Sequence, residues 1–317
     1  MTSILTNNGA MVALQTLKGI NSNLESTQNQ ISTGKEVSNA KDNAAIWSIS
    51  KVMESDVEGF KAISSSLNIG EGTVSVAREA AEQTTDLLKN IQEKIIAAQD
   101  GTLDRDTLQK DIVALRDQIT SVSDTAQFNG VNLVNGSATT EISPAVAGDT
   151  NATPPVEAQA AVTGMSVISS LDRSAEGVQA TRIGVAAVDL STDAIQGTYS
   201  TTDEATGAVT ETVISLDAID VTTDEGAQQA LSAISGMITQ ATEAGASFGS
   251  AQNRLEMQNE FISNLADTLT SGIGSMVDAD MEEASARLKA LQTQQQLGVQ
   301  SLSIANQAPG AIMSLFR

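Results

Sequence analysis

Residues 281–305 read MEEASARLKALQTQQQLGVQSLSIA and carry apolar or small residues at alternating spacings of three and four. These residues form a stripe that begins at Val277, one helical turn before the quoted stretch. It consists of Val277, Met281, Ala284, Leu288, Leu291, Gln295, Gly298, Leu302 and Ala305. This is the a/d pattern of helices that pack as coiled coils. A matching stripe near the start of the chain consists of Ala10, Ala13, Leu17, Ile20, Leu24, Thr27 and Ile31. The two stripes predict two long helices, which either assemble as a coiled coil or share an ordinary core.

Charge is distributed unevenly along the chain, and this favours assembly. The net charge is −22, yet residues 1–24 contain one charged side chain, Lys18, and residues 288–317 contain only Lys289 and Arg317. A free surface tail has no reason to exclude charge. Ends that pack against many copies of themselves do, because like charges repel and buried charges are costly.

Composition excludes several classes of function. The chain has no Cys and no His, so it lacks the thiolate, the commonest general base and the commonest metal ligands. We therefore expect no enzyme, no cofactor and no metal. The 39 acids outnumber the 17 bases, which disfavours binding to nucleic acid and to anionic membrane surfaces. No apolar run approaches the about 20 residues of a membrane span, and residues 1–9 do not resemble a cleavable signal peptide.

Further helices are predicted between the two ends from apolar residues spaced three and four apart. They cover residues 43–99, 104–124 and about 225–269. Gly70 and Gly72 predict a break in the first of these helices, and the glycine-rich run at 271–275 predicts an interruption after the third.

The middle of the chain, residues 137–224, differs in composition. It is rich in Thr, Ala, Gly and Asp, and residues 137–245 hold 15 acids against two bases. Alternation of β-branched residues over 209–221 predicts a hairpin or edge strands. The whole pattern predicts a mainly α fold. A small β-hairpin or irregular insertion would face solvent.

Five segments, in order along the chain, resemble motifs of bacterial flagellins. They are ILTNNGAM at 4–11, STG at 32–34 with NAKDNAA at 39–45, QFNGV at 127–131, GSAQNRL at 249–255, and ANQAP at 305–309 with LFR at 315–317. The resemblance covers roughly residues 1–135 and 245–317 and is closest to alphaproteobacterial flagellins.

The resemblance implies long antiparallel helices that form a coiled-coil rod, with the N- and C-terminal helices paired. It also implies a division into three parts. Residues 1–33 and 280–317 would form the coiled-coil inner tube of a hollow filament, residues 34–136 and 225–279 the helical rod, and residues 137–224 the exposed, variable insertion. The implied inner-tube residues are Ile4, Leu5, Met11, Leu14, Leu17, Ile20, Leu24, Leu288, Leu291, Leu302, Ile312, Leu315 and Phe316. The implied rod motif consists of Asp42, Gln127, Phe128, Asn129, Gln252, Asn253 and Arg254. Arg254 either lies near subunit contacts or forms a local ion pair with Glu256 or Glu260.

The resemblance also implies the partners and the location. The chain would polymerise with itself, with other flagellins as optional co-assembling subunits. It would meet an export chaperone, hook-associated proteins and the cap protein, and would leave the cell by flagellum-specific type III export to form the extracellular filament that drives swimming. A flagellar hook–filament junction protein is the alternative. A secreted metal-dependent enzyme housed in the middle segment is disfavoured because the chain has no His.

One stretch departs from the family pattern. Flagellins detected by the vertebrate flagellin receptor carry arginines and a leucine on the first rod helix. Here the matching positions are Asn90, Gln92 and Lys94. The resemblance therefore implies an altered receptor patch, and the mixed-charge run of Lys94, Asp104 and Arg105 is a candidate for local compensation.

Overall fold

The computed structural model describes residues 7–100, 103–138, 140–143, 162–174, 177–202 and 209–314. The helices in these ranges are α1 (Asn8–Thr33), α2 (Ala44–Gln99), α3 (Arg105–Thr125), α4 (Asp224–Val277) and α5 (Met281–Ser314). The predicted mainly α fold is confirmed. Helix contacts divide the chain into two compact units, one formed by Met1–Glu58 with Leu265–Arg317 and the other by Gly59–Asn264.

The first unit contains the two terminal helices, which pack against each other in antiparallel orientation. Every position of the α1 stripe is buried or half-buried, and so is every position of the α5 stripe except Met281, which is 43% exposed. Thr27 of α1 and Ala284 of α5 are the most buried stripe residues of the two helices, at 2% and 5% exposure. The periodic residues therefore lie where α1 and α5 meet, which confirms the predicted pairing.

A short backbone bridge closes one end of this helix pair. Gly34 ends α1 with a φ of 69°, in the left-handed region that glycine adopts without strain. The backbone N–H of Glu36 then donates to the carbonyl of Val277 at 2.7 Å, and the N–H of Ala279 donates to the carbonyl of Gly34 at 3.0 Å. These bonds hold the end of α1 beside the junction between α4 and α5.

In the second unit, α2 and α4 run antiparallel over a core of aliphatic side chains. Leu67, Leu88 and Ile91 of α2 and Phe248 and Leu255 of α4 are fully buried. Aliphatic residues at helical spacing supply the apolar area for this core, with little help from aromatics.

The predicted break at Gly70 and Gly72 is wrong, because α2 continues through both. A Cβ atom at Gly70 would lie 2.7 Å from Cγ2 of Val167, and one at Gly72 would lie 3.2 Å from Cζ of Phe128. The glycines make room for these two side chains. Each glycine destabilises the helix by about 1 kcal/mol relative to alanine. The packing of Val167 and Phe128 against the two glycines offsets that cost.

The predicted interruption at residues 271–275 is also wrong, since α4 runs on to Val277. The helix ends three residues before α5, and Asp280 caps the start of α5 by accepting from the backbone N–H groups of Glu282 and Glu283. An aspartate at this position satisfies N–H groups that have no partner within the helix. The stop signal therefore lies in the Asp-Ala-Asp sequence and not in the glycines.

The segment between α3 and α4 forms small antiparallel sheets among its described residues. Its strands are β1 (Gln127–Phe128), β2 (Val131–Asn132), β3 (Glu141–Ser143), β4 (Val162–Ser174), β5 (Gly177–Ala186), β6 (Gln196–Thr202) and β7 (Val209–Ser215). They pair as β1–β2, β3–β4–β5 and β6–β7. The hairpin predicted for 209–221 is confirmed for β7, after which Leu216–Ala218 form a 3-10 turn instead of extended strand.

Side chains of α3 tie this turn to the helices. Gln109 donates from Nε2 to the carbonyl of Ile219 at 3.1 Å and accepts from the N–H of Val221 at 2.9 Å. Arg116 donates to the carbonyl of Leu216 at 3.3 Å. The two bonds of Gln109 satisfy backbone groups of Ile219 and Val221, which lie beyond the end of the β6–β7 sheet.

Candidate self-assembly surface

The seam between α1 and α5 contains one close hydrophobic contact and one polar contact. A Cβ atom at Gly298 would lie 3.1 Å from Cδ1 of Leu17 and 3.7 Å from Cδ1 of Ile20, so the glycine forms the hole into which these side chains pack. One turn away, Nε2 of Gln295 donates to Oδ1 of Asn21 at 2.8 Å. The two stripe positions that are least typical of a coiled coil therefore have matched partners on α1.

A second set of apolar side chains on the same helices has no cover in the single chain. Its most exposed members are Met11 at 60%, Val12 at 64%, Leu297 at 56%, Val299 at 53% and Ile304 at 70%. Isolated exposed apolar residues are ordinary. Several of them on one helix pair that carries few charges form a candidate interaction surface. Here the set occurs on helices that are nearly free of acids.

The structure divides the predicted inner-tube residues into groups. Those that line the α1–α5 seam are Leu17, Ile20, Leu24, Leu288, Leu291 and Leu302. Met11 and Leu14 instead belong to the exposed set, at 60% and 44%. The backbone of Ile312 is part of α5, but its side chain lies outside the described residues, as do Ile4, Leu5, Leu315 and Phe316.

Asn7, which is not among the predicted inner-tube residues, links the two terminal helices. Its Oδ1 accepts from the backbone N–H of Ala10 at 3.1 Å and so caps α1. Its Nδ2 donates to the backbone carbonyl of Ala305 on α5 at 2.8 Å. An Asn before an apolar stripe is the sequence signal for the cap, but nothing local indicates the second bond.

The rod-motif residues do not form a single cluster. Asp42 lies in the loop before α2, where Oδ2 accepts from the N–H groups of Ser38 and Asn39 at 3.1 and 3.0 Å. These bonds, first among them the one from Asn39, hold the pKa of the Asp42 carboxyl below its usual range because they stabilise its charged form. Asn43, next in sequence, accepts from the N–H groups of Ala45 and Ile46 and caps α2.

The segment from Gln127 to Val131 is a tight hairpin. Asn129 and Gly130 have φ values of 51° and 80°, and they join β1 to β2. Two consecutive left-handed residues are the signature of a type I′ turn, for which Asn-Gly is the preferred pair. Phe128 packs beside Gly72 of α2. The motif therefore folds the chain back onto the rod helix.

The remaining rod-motif residues lie on α4 and differ in their contacts. Gln252 accepts from Nε of Arg78 on α2 at 3.1 Å, while Asn253 and Arg254 are exposed. Within the described part of the chain, Arg254 makes no ion pair, so the alternative of a local pair with Glu256 or Glu260 is not observed. The guanidinium is thus available at the surface of the isolated subunit.

The altered receptor positions lie on one stretch of α2. Asn90 is exposed, and Gln92 and Lys94 are half-buried. Nζ of Lys94 lies 2.7 Å from Oδ2 of Asp111 on α3. In the single chain Asp104 caps α3 and Arg105 pairs with Asp224. Their candidate role in compensating for the altered patch stays a prediction.

Nothing in the described ranges resembles a metal centre, since no group of three or more carboxylates is close enough to hold an ion. No helix among these residues is both long and apolar enough to cross a membrane.

Comparison with known proteins identifies the family. Residues 4–139 match the bacterial flagellin N-terminal helical region, and residues 231–316 match the bacterial flagellin C-terminal helical region. Flagellin C of Rhizobium meliloti is 36% identical over 343 residues, covering 100% of each chain. Flagellin FljK of Caulobacter vibrioides is 36% identical over 320 residues, covering 100% of this chain and 99% of that protein. Both terminal helical regions and the full-length relatives agree, and the chain belongs to the bacterial flagellin family.

Proposed function

We propose that this flagellin, a structural subunit of the flagellar filament, assembles through the outer faces of its paired terminal helices. The observation that carries the proposal is the exposed apolar set on α1 and α5. Ile304 at 70% and Val12 at 64% are exposed on helices that are nearly free of acids, in a chain of net charge −22. Burying these apolar side chains against neighbouring subunits removes them from water, which is favourable. The electrostatic cost is small because few charged groups are buried with them.

The proposal assigns three roles along the chain. Residues 1–33 and 280–317 form the inner tube, residues 34–136 and 225–279 form the rod, and the acidic residues 137–224 face solvent. In the inner tube, the seam residues hold α1 to α5 and the exposed set contacts neighbouring subunits. In the rod, Asp42 and the hairpin at Gln127–Asn129 shape the subunit, while Asn253 and Arg254 are available for subunit contacts.

The finer steps of assembly are part of the same proposal. The subunit is exported through the flagellum-specific type III channel, is held before export by a chaperone, and is added between hook-associated proteins and the cap protein. Other flagellins co-assemble where their terminal helices match. The hook–filament junction alternative is less well supported, because the Rhizobium and Caulobacter relatives are flagellins.

Leu302→Asp tests whether assembly needs the paired terminal helices. Leu302 lies half-buried on the α5 stripe. A carboxylate at this position would lose its hydration in the polymer, which costs roughly several kcal/mol per subunit. We expect purified Leu302→Asp protein not to form filaments under precipitant conditions in which the unmodified chain does, as seen by electron microscopy. Circular dichroism controls for folding, since the Gly59–Asn264 unit should melt unchanged. Normal filaments of Leu302→Asp would exclude the assigned role of α5.

A further inference from the structure

The carbonyl of Ala305 lacks the N–H donor that a helix ordinarily supplies four residues later. In an α-helix the carbonyl of a residue accepts from the N–H four residues later, and the residue four positions after Ala305 is Pro309. Proline has no backbone N–H, so it removes that hydrogen bond. Because α5 continues to Ser314, the unpaired carbonyl lies inside the helix and not at its end.

Asn7 supplies the missing donor from the other terminal helix. Its Nδ2 lies 2.8 Å from the carbonyl oxygen of Ala305, while its Oδ1 accepts from the N–H of Ala10 at 3.1 Å. Asn7 and Ala305 are both half-buried. One carboxamide therefore satisfies an unpaired N–H at the start of α1 and an unpaired carbonyl within α5, and both groups would otherwise be costly to bury.

We propose that Asn7 and Pro309 act as a recognition pair that selects how the far ends of α1 and α5 align. A carbonyl in a helix interior ordinarily accepts the N–H four residues later, so a side-chain donor there adds only a second bond. Pro309 leaves the carbonyl of Ala305 as an acceptor. The carboxamide of Asn7 therefore finds its hydrogen-bond partner at one defined position along α5. Asn7 is thus a positioning residue for the terminal pair, and this role rests on the proposed assembly through that pair.

Distance explains why a second contact is needed at this end. α1 contains 26 residues, which is about 39 Å of helix at about 1.5 Å per residue. The backbone bridge of Glu36 and Ala279 lies at the opposite end of the pair. A bridge that far away restrains the α1 start weakly, whereas the bond from Asn7 acts directly on it.

A double-mutant cycle between the two residues tests the inference. Asn7→Ser keeps an oxygen that can cap α1 but removes the carboxamide donor. We expect it to raise the critical concentration for polymerisation of the full chain by roughly three- to tenfold. Pro309→Ala restores the N–H that pairs with the Ala305 carbonyl. In that background Asn7→Ser should change the critical concentration less than about twofold. An equal effect in both backgrounds would overturn the proposal, since Asn7 would then act only as a cap.

Two further variants keep the result decisive. Asn8→Ser changes the neighbouring, exposed asparagine and should leave polymerisation unchanged. Asn7→Asp has the same shape and caps α1 well, but it places a carboxylate oxygen beside the Ala305 carbonyl. We expect it to impair polymerisation at least as much as Asn7→Ser, even if the Pro309→Ala chain does not polymerise. Wild-type behaviour of Asn7→Asp would overturn the proposal. Failure of the unmodified chain to polymerise would instead contradict the proposed function itself.

Discussion

A methyl group added at Gly298 on α5 would lie 3.1 Å from the Cδ1 atom of Leu17 on α1. This is closer than ordinary van der Waals contact, so the absence of a side chain at 298 lets the two helices approach. The glycine that weakens the stripe when read as sequence therefore contributes to the pairing. Contacts between residues that are far apart in the sequence also determine the expected effects of several substitutions.

Gly298→Leu should weaken the terminal pair. The added side chain must displace Leu17 or push the helices apart, an overpacking effect of about 1–3 kcal/mol. We expect a higher critical concentration for polymerisation, measured by sedimentation. Gly19→Ala is the matched control, because a Cβ atom at Gly19 meets nothing within 4 Å. Its better helix propensity should leave the pair unchanged or slightly more stable. Equal impairment by both changes would mean that the hole at 298 has no special role.

Gly70→Val should destabilise the second unit even though valine is a better helix former than glycine. The new side chain collides with Val167, because a Cβ atom at position 70 would lie 2.7 Å from Cγ2 of that residue. We expect a loss of about 1–3 kcal/mol in the free energy of unfolding, measured by urea denaturation. Val167→Ala in the same chain should recover part of that loss. If Gly70→Val stabilises the protein, the packing of β4 on α2 is incorrect.

The ion pairs of Glu54 should make the first unit sensitive to acid. The hydrogen bond from Lys51, at 2.5 Å, and the charge of Lys35, at 3.7 Å, hold the pKa of the Glu54 carboxyl below its usual range. A lowered folded-state pKa adds stability above the unfolded-state pKa, and this stability is lost as the pH falls through the folded-state value. The gain is small because the groups are partly exposed.

Fluorescence of Trp47, the only tryptophan in the chain, reports on this effect. Unfolding is followed by the fluorescence of Trp47. We expect the free energy of unfolding to fall more between pH 7 and about pH 3 for the wild type than for Glu54→Gln. Glu58→Gln is the control, since Glu58 is exposed on the same helix and forms no ion pair among the described residues. An identical pH response in all three proteins would rule out the stabilising role of Glu54.

Salt should ease polymerisation. Residues 137–245 carry 15 acids and two bases, so subunits that present this region outward repel one another. The Debye length falls from about 30 Å at 0.01 M salt to about 10 Å at 0.1 M salt. We expect the critical concentration to fall over that range. A constant or rising value would argue that the acidic segment does not face solvent between neighbouring subunits.

The altered receptor patch should respond to three substitutions. Asn90 and Gln92 lack the forked, charge-assisted donors of arginine, and Lys94 places a charge where an apolar contact is expected. Asn90→Arg, Gln92→Arg and Lys94→Leu together should raise activation of reporter cells carrying the vertebrate flagellin receptor by about tenfold or more. Potent activation by the unmodified monomer would contradict this.

The loss of the Lys94–Asp111 ion pair in that triple variant needs its own control. The two side chains are 40% and 45% exposed, and exposed ion pairs contribute little to stability. Thermal unfolding should therefore shift only slightly. Lys94→Leu alone, measured by circular dichroism, separates a change in folding from a change in receptor binding.

Features that depend on local periodicity and composition could be predicted from the amino-acid sequence. The stripes from Ala10 and from Ala284 identified the contact between the terminal helices, because positions three and four apart lie on one face of any α-helix. The Asn129-Gly130 turn and the capped start at Asn43 are equally local, since their hydrogen bonds connect residues two or three apart.

Features that depend on residues far apart in the chain required the folded structure. Gly70 is accommodated inside a helix because Val167 packs against it, and Lys94 pairs with Asp111 although Asp104 is nearer in sequence. The second bond of Asn7 joins residues 298 positions apart. Helix propensity and capping are small local energies, and packing or an unpaired carbonyl elsewhere in the fold outweighs them.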